Sequence, residues 1–284
     1  MTFEAIRRLT IVALFSDDEL LDQLVLKGGN ALSLIHGISK RASLDLDFSL
    51  ETDFDDLDRS RARIFRVLKD RFDSNGYVVF DEQLEKKPQL NGPDKRPWWG
   101  GYELRFKIIE KAKYQRLSPE KRSLDAQTTG PGQRKVFTVD LSKNEYTTGK
   151  RAFELESYTI YVYSLEMVAI EKLRAICQQM REYEMARGRA RARDFYDIHL
   201  VLTSGNIDLA SPENLELARQ IFAAKQVPLE LLGLVDGYRE FHRPDWPSVV
   251  NAVAARLEEY DFYFDFVAGE IKRLEPLWIK EPPI

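Results

Sequence analysis

Leu26-Lys-Gly-Gly-Asn-Ala-Leu-Ser-Leu-Ile-His-Gly37, followed by Arg41-Ala-Ser-Leu-Asp-Leu-Asp-Phe-Ser49, is the stretch on which the reading turns. In Leu44–Ser49 apolar and polar residues alternate, the pattern of a half-buried strand. Leu44, Leu46 and Phe48 point one way; Asp45, Asp47 and Ser49 point the other. Side chains two apart on a strand share a face, with Cα atoms about 7 Å apart. Both Asp residues are disfavoured in strands, and their like charges add repulsion. A divalent cation relieves that cost, and hard oxygen ligands suit Mg2+ or Mn2+. A solvated strand face bearing two acids is the competing interpretation, because an isolated Asp-x-Asp is common.

Upstream, Gly28-Gly29 lies between a buried run and the helical pattern Asn30–His36, which stops at Gly37. A diglycine permits a tight turn and close approach by a phosphate, and Lys27 adds positive potential. Downstream, Val136–Leu141 reads as a strand carrying Asp140. A third carboxylate on a neighbouring strand would complete a two-metal site; a strand-terminal Asp before a turn is the alternative.

Lys172 falls at the polar edge of an apolar helical stripe made by Leu165, Val168, Leu173 and Ile176, a position ordinarily at the surface. Arg193-Asp194-Phe-Tyr-Asp197 follows, and Asp194 has the chemistry to orient that lysine, an arginine or a ribose. A lysine that reaches triphosphate oxygens neutralises charge in the transition state.

Around these motifs, residues 3–15 read as an amphipathic helix and Arg61–Phe72 as another. Tyr77–Phe80 reads as a short strand, Gly101–Ile109 as a longer one, and 111–135 as a long polar loop. Past Thr159–Tyr163, Ser164 is placed to cap a helix to about Met185. Helices are then expected at Asp194–Leu202, Pro212–Ala224, Ser248–Tyr260 and on to about Leu277. The expectation is an α+β region over 1–160 and a helical region over 161–284.

Composition narrows the class. The chain has 284 residues, 44% hydrophobic and 31% charged, with a formal net charge of -4. Overall charge therefore does not mark a nucleic-acid binder, and a polyanion would need local basic patches. Two such patches exist. Residues 111–135 hold Lys111, Lys113, Arg116, Lys121, Arg122, Arg134 and Lys135 against Glu120 and Asp125; Arg187, Arg189, Arg191 and Arg193 form the second. Trp98 and Trp99 have the chemistry to stack on a base, although covering the sheet suits them better. The one cysteine, Cys177, excludes an internal disulfide. His36, His199 and His242 are scattered and read as structural or surface residues rather than zinc ligands. No run of about 18 apolar residues is present, so no membrane span is expected, and the setting expected is cytoplasmic.

Together the motifs closely resemble those of the AbiEii/AbiGii nucleotidyltransferase toxins: a GG-x-AL segment, R-x-S-x-D-[LI]-D-F, a helical lysine in Glu171-Lys-Leu-Arg-Ala175, and an RD-x-x-D segment. The resemblance covers about residues 20–200. It implies a polymerase-β-like nucleotidyltransferase fold with a mixed sheet and an added helical domain, in a toxin of toxin–antitoxin and phage-defence systems. It implies transfer of NMP from an NTP, often a pyrimidine, to a tRNA acceptor end, with a cognate antitoxin as partner. By motif position Asp45 and Asp47 match the metal-binding pair. Lys172 and Asp194, from the helical domain, match the later catalytic positions. Lys27, Gly28, Gly29, Arg41 and Ser43 match the nucleotide-binding segment. Asp140 as a third metal ligand is the weaker transfer. Gly28-Gly29 stands where related enzymes often have Gly-Ser, so backbone amides must replace a serine hydroxyl. Transfer of NMP or phosphate to a protein side chain is the second reading. A non-catalytic module that binds antitoxin or RNA is the third.

Overall fold

The alternation around Asp47 is that of a strand in a seven-stranded mixed sheet. The computed structural model describes residues 1–38, 46–88, 96, 98–129, 131–253 and 256–279. Arg41, Ser43 and Asp45, all expected site residues, lie outside them. The strands are β1 Leu24–Lys27, β2 Leu46–Leu50, β3 Tyr77–Lys87, β4 Gly101–Glu110, β5 Phe137–Ser142, β6 Arg151–Leu155 and β7 Tyr158–Val162, in the order β3-β4-β5-β2-β1-β7-β6. β2 runs parallel to β5 and antiparallel to β1, and β1 runs parallel to β7. The expected α+β class with a mixed sheet is what forms.

The described residues divide into two compact units. One falls within Met1–Asn30, Ser43–Thr147 and Arg151–Val162; the other falls within Ala31–Ala42, Thr148–Lys150 and Tyr163–Ile284. The first contains the whole sheet. The helices Phe3–Phe15 and Leu57–Asp73 belong to it, each started by a side-chain cap: Thr2 accepts from Ala5 N–H and Asp56 from Arg59 N–H. Their apolar faces supply Ile6, Ile11, Leu14, Ile64, Leu68 and Phe72 to the core. Phe72 meets Phe106 of β4 edge-on at 5.9 Å, and Phe106 meets Phe137 of β5 at 5.4 Å. These contacts fix which sheet face is apolar. Leu104, Phe106, Val139, Leu141, Leu46 and Phe48 lie on it, all buried. Strand parity then sends Glu103, Arg105, Asp140 and Asp47 to the opposite face.

The helical unit is built on Leu165–Cys177, Ala192–Gly205, Pro212–Ala224 and Tyr260–Arg273. Phe195 stacks on Phe264 at 4.9 Å in its core. Ser164 caps the first helix, as expected, by accepting from Met167 N–H. Asn206, in the left-handed region at φ 48°, ends the second.

Several boundaries differ from the sequence reading. The loop expected over 111–135 contains the helices Lys111–Arg116 and Pro119–Leu124. Pro119 opens the second of these helices, where its missing N–H costs nothing. β3 continues past Phe80 to Lys87, through a register shift between Phe80 and Gln83 beside left-handed Asp81. The bulge resets the alternation and hides the polar half of this edge strand. The helix from Ser164 stops at Cys177, short of Met185, and among the described residues of Ser248–Tyr260 helix is found in Trp246–Val250 and at the start of Tyr260–Arg273. No helix of the described residues is long and apolar enough to cross a membrane.

Candidate active site

Asp47 is half-buried at the centre of a polar row that crosses the sheet. Its register partner on β1 is Lys27 and on β5 is Asp140; the partner of Asp140 on β4 is Glu103. Paired residues share a face and adjacent strands are about 4.8 Å apart, so Asp47 and Asp140 stand side by side. Like charges placed directly opposite destabilise a sheet. Part of this cost is offset by Lys87, whose Nζ lies 2.7 Å from Asp140 Oδ1 and 3.1 Å from Glu103 Oε2. Burial opposes the Lys87 charge, but these two carboxylates outweigh it and raise its pKa. Lys27 is buried, and its Nζ pairs with Glu145 Oε1 at 3.3 Å.

Gly28 explains the local sequence. It adopts φ +71°, and a Cβ there would sit 2.8 Å from Asp47 Oδ2. Only glycine brings the main chain this close to the carboxylate without strain. Gly28–Asn30 makes one helical turn, anchored where Asn30 Oδ1 accepts from Arg7 Nη1 at 2.7 Å. Gly28→Ala is expected to cost about 1–2 kcal/mol for the left-handed backbone alone and to displace Asp47. A larger fractional loss of turnover than of unfolding free energy checks this; unchanged turnover would contradict it.

The donor set fits a hard divalent ion: adjacent carboxylates, with a glycine in place of any side chain over Asp47. Among the described residues no group of three or more such ligands forms, and Asp45 is outside them. His36 Nε2 bonds the Tyr163 carbonyl at 3.0 Å, and His199 packs among Phe262, Tyr263 and Phe266.

In the helical unit, Lys172 does not lie at the surface where its stripe position puts it. It is 6% exposed, with Nζ 2.9 Å from Asp194 Oδ1 and 2.8 Å from Asp197 Oδ2. Arg191 Nε bonds the other oxygen of Asp194. Two cations and two carboxylates thus meet here, Lys172 and both carboxylates buried and Arg191 part-exposed at the edge. Burial acts against each charge; even so, Asp194 and Asp197 raise the Lys172 pKa, while Arg191 and Lys172 hold that of Asp194 well below the usual carboxylate range. The sequence reading places Arg191 in a basic patch and Asp197 at the end of the Arg-Asp segment, without assigning either to the surroundings of Lys172. The spacing Asp194–Asp197, three apart on one helical face, was the available signal.

Of the basic segments, Lys111 pairs with Asp73 at 2.6 Å and Arg122 stacks over Tyr114 at 3.9 Å, while Arg187, Arg189 and Arg193 are exposed. Trp98 and Trp99 meet edge to face at 5.8 Å.

The mixed sheet sets two carboxylates side by side next to a glycine turn, an oxygen-donor arrangement that suits a divalent ion in group transfer. The chain belongs to the nucleotidyl transferase AbiEii toxin family of type IV toxin–antitoxin systems, whose family model matches residues 10–268. It is a nucleotidyltransferase, with an NTP substrate and an antitoxin partner implied by the family. No curated protein sequence matches it. Among solved structures, a protein of H. pylori assigned to the nucleotidyltransferases is 19% identical, with 96% of this chain and 92% of that one covered and a TM-score of 0.44. An antigenic nucleotidyltransferase-like protein from Paracoccidioides brasiliensis is 14% identical, covering 87% and 93%, with a TM-score of 0.38. The antibiotic-resistance factor ANT(2'')-Ia is 14% identical, covering 81% and 97%, with a TM-score of 0.36.

Proposed function

We propose that this enzyme transfers the NMP of a pyrimidine NTP to the 3′ acceptor end of tRNA, releases pyrophosphate and thereby blocks translation in the cytoplasm. The observation that supports this most is the side-by-side register of Asp47 and Asp140, with Gly28 against the Asp47 carboxylate. In this reading Asp45, Asp47 and Asp140 hold Mg2+ or Mn2+, which supplies Lewis-acid activation of the acceptor hydroxyl and charge neutralisation at the leaving pyrophosphate. Lys27, Gly28, Gly29, Arg41 and Ser43 bind the nucleotide phosphates. Lys172 and Asp194 are catalytic, the lysine kept charged and oriented by its two carboxylates. Lys113, Arg116 and Lys121 on the short helices, with Arg187 and Arg189, take backbone phosphates of the acceptor, contacts that fix position without reading sequence. Blocking translation would suit a role in phage defence.

The test is incubation with total RNA, Mg2+ and each α-labelled NTP in turn. Label on RNA from a pyrimidine NTP, absent with Asp45→Ala, is the expected result. Label on protein alone would replace RNA by a protein side chain as acceptor. No label from any NTP, with RNA or antitoxin still bound, would leave only a binding module.

A further inference from the structure

His242 is fully buried and has no part in the chemistry above. It lies in the core of the helical unit against the rings of Phe195, Tyr238 and Phe241. Its Nδ1 accepts the backbone N–H of Arg191 at 3.1 Å. That bond sets the tautomer: Nδ1 is bare and Nε2 carries the hydrogen. Nε2 is buried with no hydrogen-bond partner among the described residues. A ring needed only for packing would be better served by phenylalanine, because an unsatisfied buried donor is costly. What the imidazole supplies here is the acceptor. Burial pushes its pKa down to about 4, with Asp194 and Asp245 opposing and Arg191 assisting, so the ring is neutral and Nδ1 is available near neutral pH.

Arg191 immediately precedes the helix Ala192–Gly205. Its side chain bonds Asp194 Oδ2, and its carbonyl accepts from Asp194 N–H at 3.0 Å. Asp194 Oδ1 in turn holds Lys172 Nζ at 2.9 Å. His242 therefore grips the main chain from which the Arg191–Asp194–Lys172 chain of contacts begins.

We propose that His242 is a positioning residue for nucleotide transfer, acting through the Arg191 backbone on Asp194 and Lys172. The proposal rests on the reading of those two as catalytic. His242→Phe keeps a ring and removes the acceptor, whereas His242→Asn puts an amide oxygen close to where Nδ1 was. Steady-state transfer with the full chain should show kcat down about tenfold in His242→Phe, the loss expected when one hydrogen bond of modest net worth no longer holds geometry. KM for the NTP should be little changed, and His242→Asn should recover most of the rate. A folded His242→Phe enzyme with full kcat overturns the proposal. Should His242→Phe not fold, His242→Asn is compared with His242→Gln, whose oxygen reaches the Nε2 position instead; equal rates in the two overturn it. Asp194→Asn separates the two readings. Unimpaired transfer there removes the catalytic reading, while an inactive Asp194→Asn beside a fully active His242→Phe removes only the positioning role.

Discussion

Asp47→Asn will lower nucleotide transfer by at least about a thousandfold, roughly 4 kcal/mol of barrier, without unfolding the protein. The substitution is nearly isosteric, so it fits the same space beside Gly28, where a Cβ would have come within 2.8 Å of the Asp47 carboxylate. It removes one of two carboxylates in direct cross-strand register, Asp47 and Asp140, and with it a like-charge repulsion. Stability should therefore be equal to or slightly above that of the native chain. Single-turnover transfer together with thermal unfolding measures both quantities. Transfer within tenfold of the unmodified enzyme would remove Asp47 from the reacting site, and a large fall in melting temperature would show that its role is structural.

Lys172→Met will be the most destabilising single change considered, by about 3–5 kcal/mol, the usual result of removing one partner from a buried ion pair. Asp194 and Asp197 are 4% and 0% exposed, and both would lose the Lys172 ammonium, with Arg191 still bonded to Asp194. Restoring neutrality with a second substitution, Asp197→Leu, should recover much of the loss, because a balanced pair of Arg191 and Asp194 is left. Denaturant titration of the single and double variants reads this directly; additive losses would show that charge balance is not the cause. The pH dependence has a definite sign. The folded pKa of Asp194 lies below its ordinary 3.8, so its contribution is complete above that value and is lost as pH falls through the folded one. Lys172 is raised above its ordinary 10.5, so its contribution is complete below that value and fades as pH rises further. The stability gap between native chain and Lys172→Met should be widest from about pH 5 to 10 and narrow at both extremes. A gap that grows below pH 4 would contradict the ion-pair account.

Local chemistry made much of this legible beforehand. Alternation in Leu46–Leu50 and Phe137–Ser142 declared which residues share a sheet face, because side-chain period follows from the backbone of a single strand. The Ser164 cap declared where the helix bearing Lys172 begins. Harder to read were the segments whose signal is diluted. β3 crosses a bulge and runs along a sheet edge, where water accepts polar residues on both faces, and β6 is exposed along most of its length. Pro119 carries two opposite meanings, breaker and helix opener, and only the following turn decides between them.

The amino-acid sequence by itself determined that carboxylates, a diglycine, a helical lysine and an Arg-Asp segment occur at the spacing of a nucleotidyltransferase, since residue order and short-range periodicity are properties of the chain alone. The tertiary structure decided who the neighbours are. Asp47 meets Asp140 only because β2 and β5 pair in parallel register, a long-range hydrogen-bonding choice that no local window contains. Lys172 is buried, against its position at the edge of an apolar stripe, because Asp194 and Asp197 arrive from the next helix to compensate its charge. His242, one of three scattered histidines in the sequence, has its Nδ1 on the Arg191 N–H because packing of distant segments put it there. Burial and charge pairing are set by contacts between residues far apart in the chain, and these arise only once the chain has folded.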